Sequence, residues 1–158
     1  MIDLYAWTSA NGRRPIIILE ETGTPYRIIV IDPHSEAKNA PDYRAISPGG
    51  KVPCLVDPDG PGGAPVHLME SCAILMYLGD KTGQFMGSGA ASRWDVLQWL
   101  MYLATNVSIS FSALNVTRDM EQQCRNLLDV MNGHLAANDH FAGAYSIADM
   151  MAIGRFGK

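Results

Sequence analysis

The sequence predicts an α/β domain followed by an all-helical domain, and three observations lead to this prediction. All nine prolines lie between Pro15 and Pro65. Because proline punctuates short elements and interrupts helices, we expect short strands and helices in the first half and almost only helix in the second. A short apolar run at 2–6, a helical segment at 13–21 and a β-branched segment at 26–32 follow one another as a β-α-β unit. In the second half, apolar residues recur at helical spacing.

The first domain is predicted to have the order β-α-β-α-β-β-α. Its first helix has a proline in the first turn and Gly23 after its end, and the segment 26–32 is predicted to be a strand of a largely buried sheet. A weakly helical polar stretch then leads to a loop at 46–51. Two short strands at 52–57 and 64–69 form an antiparallel hairpin. An apolar helix begins abruptly at Glu70.

The second domain is predicted to contain helices at 91–108 and 117–135 and a last helix that begins near Ser146. Ser146 can cap this helix while Asp149 reaches back to the cap N–H, which is the geometry of a capping box. The tryptophans Trp94 and Trp99 are at helical spacing and are predicted to be core residues. The predicted organisation is a first domain over 1–82, a linker over 83–90 and a shortened helical domain over 91–158.

Composition excludes several classes of function. Twelve basic and sixteen acidic residues, scattered along the chain, leave no cationic surface for nucleic acid or an anionic membrane. No run approaches the length of a membrane span, and the start of the chain lacks the pattern of a signal peptide. The three cysteines are odd in number and far apart, which favours a reducing compartment. We therefore expect a cytoplasmic protein.

Metal binding is not expected. The histidines His34, His67, His134 and His140 lack metal-ligand spacing, so surface or structural roles are favoured. No Cys-x-x-Cys pair occurs, and Cys54 and Cys72 are best interpreted as buried packing residues.

Three short segments could bind a ligand. A cis bond at Val52-Pro53 would turn the Val52 main chain outward to pair with a peptide ligand. Glu70-Ser71 stands at a helix N-terminus, where the carboxylate could hold an ammonium group and Ser71 a carboxylate; an ordinary helix cap is the alternative. The turn 8–12 could offer donors that stabilise a thiolate, with capping by Ser9 or Asn11 as the alternative.

These segments and their spacing resemble the glutathione transferase family. The resemblance covers Leu4-Tyr5, the turn 8–14, the loop Ile46-Ser47-Pro48-Gly49-Gly50-Lys51-Val52-Pro53 and the helix 70–78, and it continues in 97–100 and 142–150. The turn Ser9-x-Asn11-Gly12 followed by Leu19-Glu20-Glu21 is most similar to the nu-class enzymes, which are glutathione-dependent disulfide reductases. The resemblance implies a thioredoxin-like first domain.

The resemblance also implies residue roles. Pro53 would be cis, Val52 would pair with the cysteinyl part of glutathione, and Glu70 and Ser71 would hold the γ-glutamyl group. Ser9 and Asn11 would lie near the sulfur, with Thr8 as a second hydroxyl. Lys51 and Arg14 would help to hold the glycyl carboxylate.

The function expected from this resemblance is conjugation of glutathione to electrophiles or reduction of disulfides. The partners would be glutathione and a small electrophile or disulfide, without a metal, in a homodimer. The alternative is a non-catalytic, truncated glutathione-transferase-like binding protein, because the helical domain is shorter than is usual in the family.

Overall fold

The computed structural model describes residues 1–112 and 118–157. These residues divide into two compact units, Met1–Thr82 and Gly83–Gly157. Two predicted boundaries, the helix start at Thr117 and the domain end at Lys158, lie outside the described residues.

The first unit is built on a four-stranded mixed sheet in the order β2-β1-β3-β4. Strand β1 is parallel to β2 and antiparallel to β3, and β3 is antiparallel to β4. The β-α-β-α-β-β-α order predicted from the sequence is confirmed. The strands are β1 Ile2–Ala6, β2 Tyr26–Val30, β3 Cys54–Asp57 and β4 Val66–Met69.

Helices α1 Ala10–Thr22, α2 Pro41–Ile46 and α3 Ser71–Thr82 complete this unit, with short 3₁₀ turns at Glu36–Asn39 and Pro61–Gly63. Helices α1 and α3 pack against each other and against the central strands β1 and β3. Removal of these apolar side chains from water stabilises the unit. The apolar side chains of this unit that have no exposed surface include Leu4, Ile18, Leu19, Leu55, Ile74, Leu75 and Leu78.

Strand β2 differs from the prediction of a buried sheet strand. Among the strands of the described residues it pairs with β1 alone, and it therefore lies at the edge of the sheet. Ile28 and Val30 are 47% and 64% exposed. A run of β-branched residues does not distinguish a central strand from an edge strand, because both favour the same side chains.

Helix α1 begins three residues earlier than predicted. The Ser9 hydroxyl oxygen accepts a hydrogen bond from the Gly12 N–H at 3.1 Å, and Ser9 has extended backbone angles, so Ser9 is the N-cap. Pro15 consequently lies in the second turn rather than the first. Because proline has no N–H, the Asn11 carbonyl loses its partner four residues on.

The second unit consists of α4 Ala90–Tyr102, α5 Ser108–Ser112, α6 Arg118–Leu135 and α7 Ile147–Phe156. A π-helical turn over Leu103–Val107 joins α4 to α5, so the helical stretch extends beyond the predicted end. In the described part of the chain, none of the helices combines the length and apolarity that crossing a membrane requires.

The capping box predicted for the last helix is confirmed. The Ser146 hydroxyl oxygen accepts from the Ala148 N–H, and the Asp149 carboxylate accepts from the Ser146 N–H at 2.9 Å. Asp149 also accepts from the Phe141 N–H at 3.2 Å, which ties the preceding turn to the helix.

The prediction for the two tryptophans is half right. Trp99 packs against Phe141 and His134, with ring centroids 5.0 and 4.3 Å away. Trp94 is 70% exposed. The buried face of α4 is set by Val96, and a residue two positions away on a helix points to the opposite side.

Candidate functional site

A cleft of about 150 Å³ in the first unit brings together most of the residues singled out in the sequence. We call it the Val52 cleft. It combines a carboxylate at Glu70, an ammonium group at Lys51 and the N-terminus of α3 within one small space. Its lining residues are Asn11, Ser47, Gly49, Lys51, Val52, Pro53, Met69, Glu70 and Ser71.

The peptide bond between Val52 and Pro53 is cis, as the resemblance implied. The preceding peptide group is held firmly. The Lys51 carbonyl accepts hydrogen bonds from the Tyr43 hydroxyl at 2.6 Å and the Ser47 hydroxyl at 2.9 Å. Ser47 in turn accepts from the Lys51 N–H at 3.0 Å. Buried hydroxyl groups therefore fix the main chain that enters the cleft at Val52.

Glu70 and Ser71 form the opposite wall. Ser71 is the first residue of α3, and the Ile74 N–H donates to the Glu70 carbonyl at 3.0 Å, so Glu70 occupies the cap position. Glu70 has a φ of 71°, a left-handed conformation that is uncommon and unfavourable for a residue other than glycine. Such strain is often found at ligand sites. Glu70 is exposed, lines the cleft and immediately precedes the amide donors of the helix N-terminus.

A buried arginine connects this wall to the first turn of α1. Arg14 is 2% exposed, and its Nη1 donates to the Asn11 Oδ1 at 2.7 Å and to the Ser71 Oγ at 3.1 Å. The Ser71 hydroxyl accepts from Arg14, so its own proton can be donated to a ligand.

The resemblance implies that Arg14 and Lys51 help to hold the glycyl carboxylate, but Arg14 is not among the residues that line the cleft. Its guanidinium is buried behind Asn11 and Ser71, whereas Lys51 is exposed and lines the cleft. Of the two cations proposed for the glycyl carboxylate, Lys51 therefore has the suitable position.

Ser9 and Thr8 are not among the residues that line the cleft. Ser9 caps α1, the alternative that the sequence left open, although its hydroxyl proton can still be donated. Thr8 borders a larger groove of about 380 Å³, formed by Ala6, Trp7, Thr8, Arg13, Ile16, Ile28 and Val30. Apolar side chains dominate this groove and none of its lining residues is acidic, so it does not suit an ammonium group.

The cysteines of the chain are poor nucleophiles or inaccessible. Cys54 and Cys124 are buried. Burial raises the pKa of the Cys72 thiol to about 11, an effect that Glu70 reinforces and Arg14 opposes, so this thiol stays protonated at neutral pH. Among residues 1–112 and 118–157, no group of histidine, cysteine and acidic side chains could hold a metal ion.

Sequence reasoning missed Ser47, Gly49 and Met69 as lining residues and Tyr43 as a support of the cleft. The loop 46–51 carried a signal, since its turn residues adjoin Val52, but turn residues alone do not indicate which side chains face a ligand. The link between Arg14 and Ser71 joins residues 57 positions apart and has no local signal.

Comparisons with known proteins agree with the motifs. A family model described as the glutathione S-transferase N-terminal domain matches residues 8–81. The chain is 41% identical to the disulfide-bond oxidoreductase YfcG of Escherichia coli K12 over 103 residues, which cover 65% of this chain and 48% of YfcG. It is 29% identical to glutathione S-transferase F10 of Arabidopsis thaliana, over 95% of this chain and 77% of that protein. The chain thus spans about half of the length of YfcG.

Solved structures extend the comparison to both units. A glutathione transferase family member from Pseudomonas fluorescens superposes with a TM-score of 0.90 and 32% identity, over 97% of this chain and 74% of that one. A glutathione transferase from Pseudomonas putida gives 0.89 and 32%, over 95% of this chain and 71% of that one. The thioredoxin-like fold with a helical second part is confirmed. By its sequence identity, coverage and fold, the chain belongs to the glutathione transferase family.

Proposed function

We propose that the chain binds glutathione in the Val52 cleft and uses the bound thiolate to reduce disulfides. The observation that carries this proposal is the set of charges in one cleft: the Glu70 carboxylate, the Lys51 ammonium group and the amide donors that begin α3. Glutathione carries one ammonium group and two carboxylates, and these charges are complementary to the cleft.

Each part of glutathione has a partner in this arrangement. Its ammonium group pairs with the Glu70 carboxylate. Its γ-glutamyl carboxylate accepts from the Ser71 hydroxyl and from the amides of the α3 N-terminus, where the helix dipole favours an anion. The Val52 main chain pairs with the cysteinyl unit in the manner of a short strand edge. Lys51 attracts the glycyl carboxylate.

The sulfur then lies near the turn before α1. A free thiol has a pKa near about 8.5, so donors that stabilise the thiolate increase the fraction of nucleophile at neutral pH. The Asn11 amide and the Ser9 hydroxyl are the proposed donors. Thr8 is less suited to this role because it borders the larger groove.

Disulfide reduction follows in two balanced steps. The bound thiolate attacks one sulfur of the substrate disulfide, forms a mixed disulfide and releases the other sulfur as a thiol after it takes a proton. A second glutathione thiolate attacks the mixed disulfide at the glutathione sulfur, forms glutathione disulfide and releases the second thiol. The two electrons that reduce the substrate thus come from two glutathione molecules.

The relatives support this chemistry. YfcG is named a disulfide-bond oxidoreductase. The Pseudomonas fluorescens structure holds two glutathione molecules, and the Pseudomonas putida structure holds one glutathione disulfide per subunit. The raised pKa of the Cys72 thiol is consistent with a mechanism in which the reactive sulfur belongs to glutathione.

Conjugation of glutathione to an electrophile is the second candidate, because the same thiolate would attack a carbon centre. The similarity to glutathione S-transferase F10 over 95% of the chain favours it. Turnover of a mixed disulfide and of a model electrophile, measured side by side after glutathione-affinity purification, distinguishes the two. Retention on the affinity matrix without either turnover would support the non-catalytic alternative. Failure to be retained would contradict glutathione binding itself.

The assembly and location belong to this proposal as well. We expect a homodimer, as the family resemblance implies, and Trp94 and Met101 of α4 offer exposed apolar surface for it. Light scattering after gel filtration would test the oligomeric state. Three cysteines without disulfides favour the cytoplasm, which cell fractionation would test.

A further inference from the structure

We propose that Arg14 is a positioning residue of the glutathione site, which holds the Asn11 carboxamide so that its NH₂ group faces the cleft as the donor to the glutathione thiolate. The inference rests on the proposed function, and it concerns a role distinct from the direct ligand contact expected for Arg14 from the sequence.

The geometry supplies the first argument. Asn11 and Arg14 lie three residues apart in the first turns of α1, which places them on the same face of the helix. One guanidinium nitrogen, Nη1, donates to both the Asn11 Oδ1 and the Ser71 Oγ, at 2.7 and 3.1 Å. Arg14 is buried, whereas Asn11 is exposed and lines the Val52 cleft. A fixed interior group thus holds a side chain that faces the ligand space.

Hydrogen-bond chemistry supplies the second argument. A guanidinium has only donors, so the carboxamide atom next to it must be the oxygen. This settles which way the Asn11 amide points, a choice that heavy-atom positions alone do not make. With Oδ1 directed to Arg14, the two hydrogens of Nδ2 are left for the cleft. A rotated amide would present its oxygen to the thiolate and repel it.

The surroundings explain why a buried arginine has this task. The Arg14 guanidinium contacts both walls of the cleft, because Nη1 donates to the Asn11 Oδ1 and to the Ser71 Oγ. A single residue thus aligns the proposed donors at the sulfur end and at the γ-glutamyl end of the ligand.

The test is a double-mutant cycle with Arg14→Met and Asn11→Ala. The readout is the pKa of the bound glutathione thiol, followed by the ultraviolet absorbance of the thiolate against pH. Each single variant is expected to raise this pKa by about one pH unit. Asn11→Ala removes the proposed hydrogen bond to the thiolate, and Arg14→Met removes the hydrogen bond from the guanidinium that orients the Asn11 amide. The double variant is expected to show a rise clearly smaller than the sum of the two single rises, because Arg14 acts mainly through Asn11 and only in part through the field of its own charge.

Glutathione affinity is a second, separate readout. In the Asn11→Ala background, Arg14→Met is still expected to weaken binding several-fold, because the Ser71 contact is lost there as well. If the role of Arg14 were purely structural, Arg14→Met would lower the melting temperature. It would then not affect the thiol pKa and the glutathione affinity differently in the Asn11→Ala background. If Arg14→Met does not fold, Arg14→Lys takes its place in the same cycle. The test is whether the effects of the substitutions at positions 14 and 11 are coupled, whatever the magnitude of that coupling.

Arg13→Met is the matched control, because Arg13 carries the same charge one residue away and lines the larger groove. It is expected to leave the thiol pKa unchanged. Additive effects of Arg14→Met and Asn11→Ala, or an equal rise in Arg13→Met, would overturn the inference while the proposed function stands. Absence of glutathione binding in the unsubstituted protein would overturn both.

Discussion

Replacing Glu70 by glutamine is expected to weaken glutathione binding and to leave the fold unchanged. Glutamine has nearly the shape of glutamate and keeps one of its two acceptor oxygens, so the substitution removes the charge with little change in size. The ligand ammonium group then loses its ionic partner in the Val52 cleft.

The magnitude follows from the position of the side chain. A hydrogen bond between charged groups contributes roughly 1.5–3 kcal/mol, and the lower end applies because Glu70 is exposed to solvent. A loss of about 1.5 kcal/mol corresponds to roughly a tenfold rise in Kd. The effect is expected to shrink at high ionic strength, because salt screens exposed charges.

The substitution Glu70→Gly is expected to change glutathione affinity and the stability of the fold in opposite directions. Glu70 has a φ of 71°, which costs a non-glycine residue about 1–2 kcal/mol, while glycine loses about 0.5–1 kcal/mol through its more flexible unfolded chain. Glu70→Gly is therefore expected to raise the free energy of unfolding by about 0.5 kcal/mol and to weaken binding at least as much as glutamine does.

The assay is calorimetric titration with glutathione, combined with denaturant unfolding of each variant. Glu21→Gln, which neutralises an exposed acid at the end of α1, is the matched control and is expected to bind normally. Unchanged affinity in Glu70→Gln would refute the assignment of the ammonium group. A large destabilisation in Glu70→Gly would refute the interpretation of the cap as strained.

Three further predictions concern the turn, the cysteine and a buried acid. Ser9→Ala is expected to destabilise the protein by about 1 kcal/mol through loss of the α1 cap, and to reduce turnover more than glutathione affinity. Thr8→Ala is expected to change turnover little. Equal effects of the two substitutions on turnover in steady-state kinetics would contradict this. Cys72→Ala is expected to keep disulfide reduction within about twofold, because the thiol stays protonated; loss of activity in a mixed-disulfide assay would assign it a chemical role. Asp57→Asn is expected to lower the free energy of unfolding, measured in urea, by about 2 kcal/mol. The substitution removes the buried carboxylate that forms an ion pair with Lys81 at 2.7 Å. Burial by itself raises the pKa of Asp57, but the hydrogen bonds from Lys81 and from a tyrosine hydroxyl outweigh it and hold the pKa below its ordinary value. The stabilisation is therefore present above about pH 4 and lost as the pH falls through the lowered pKa, and a wild-type protein with no such acid-dependent loss relative to Asp57→Asn would contradict it.

Much of the first unit could be predicted from the sequence, because its signals are local. Proline and glycine mark the ends of short elements, and the β-branched segment 26–32 indicates a strand. The position of that strand at the sheet edge could not be predicted, since it depends on which strands pair. The start of α1 is ambiguous in the sequence, because Ser9, Asn11 and the proline at position 15 all offer plausible helix starts.

The candidate site was predicted in part for the same reason. Val52, Glu70 and Ser71 belong to short motifs at element ends, and the structure places them in one cleft. The contact of Arg14 with Ser71 depends on the packing of α1 against α3, which no local pattern encodes. Tyr43 looks in the sequence like an ordinary apolar helix residue, yet its hydroxyl group holds the Lys51 carbonyl.

A crystal structure of the protein soaked with glutathione would show directly whether the Val52 cleft is the ligand site. We expect glutathione in this cleft, with its ammonium group on Glu70, its cysteinyl unit along the Val52 main chain and its sulfur within hydrogen-bond distance of the Asn11 amide nitrogen. Glutathione bound elsewhere, or an Asn11 side chain turned away from the sulfur in an occupied cleft, would contradict it.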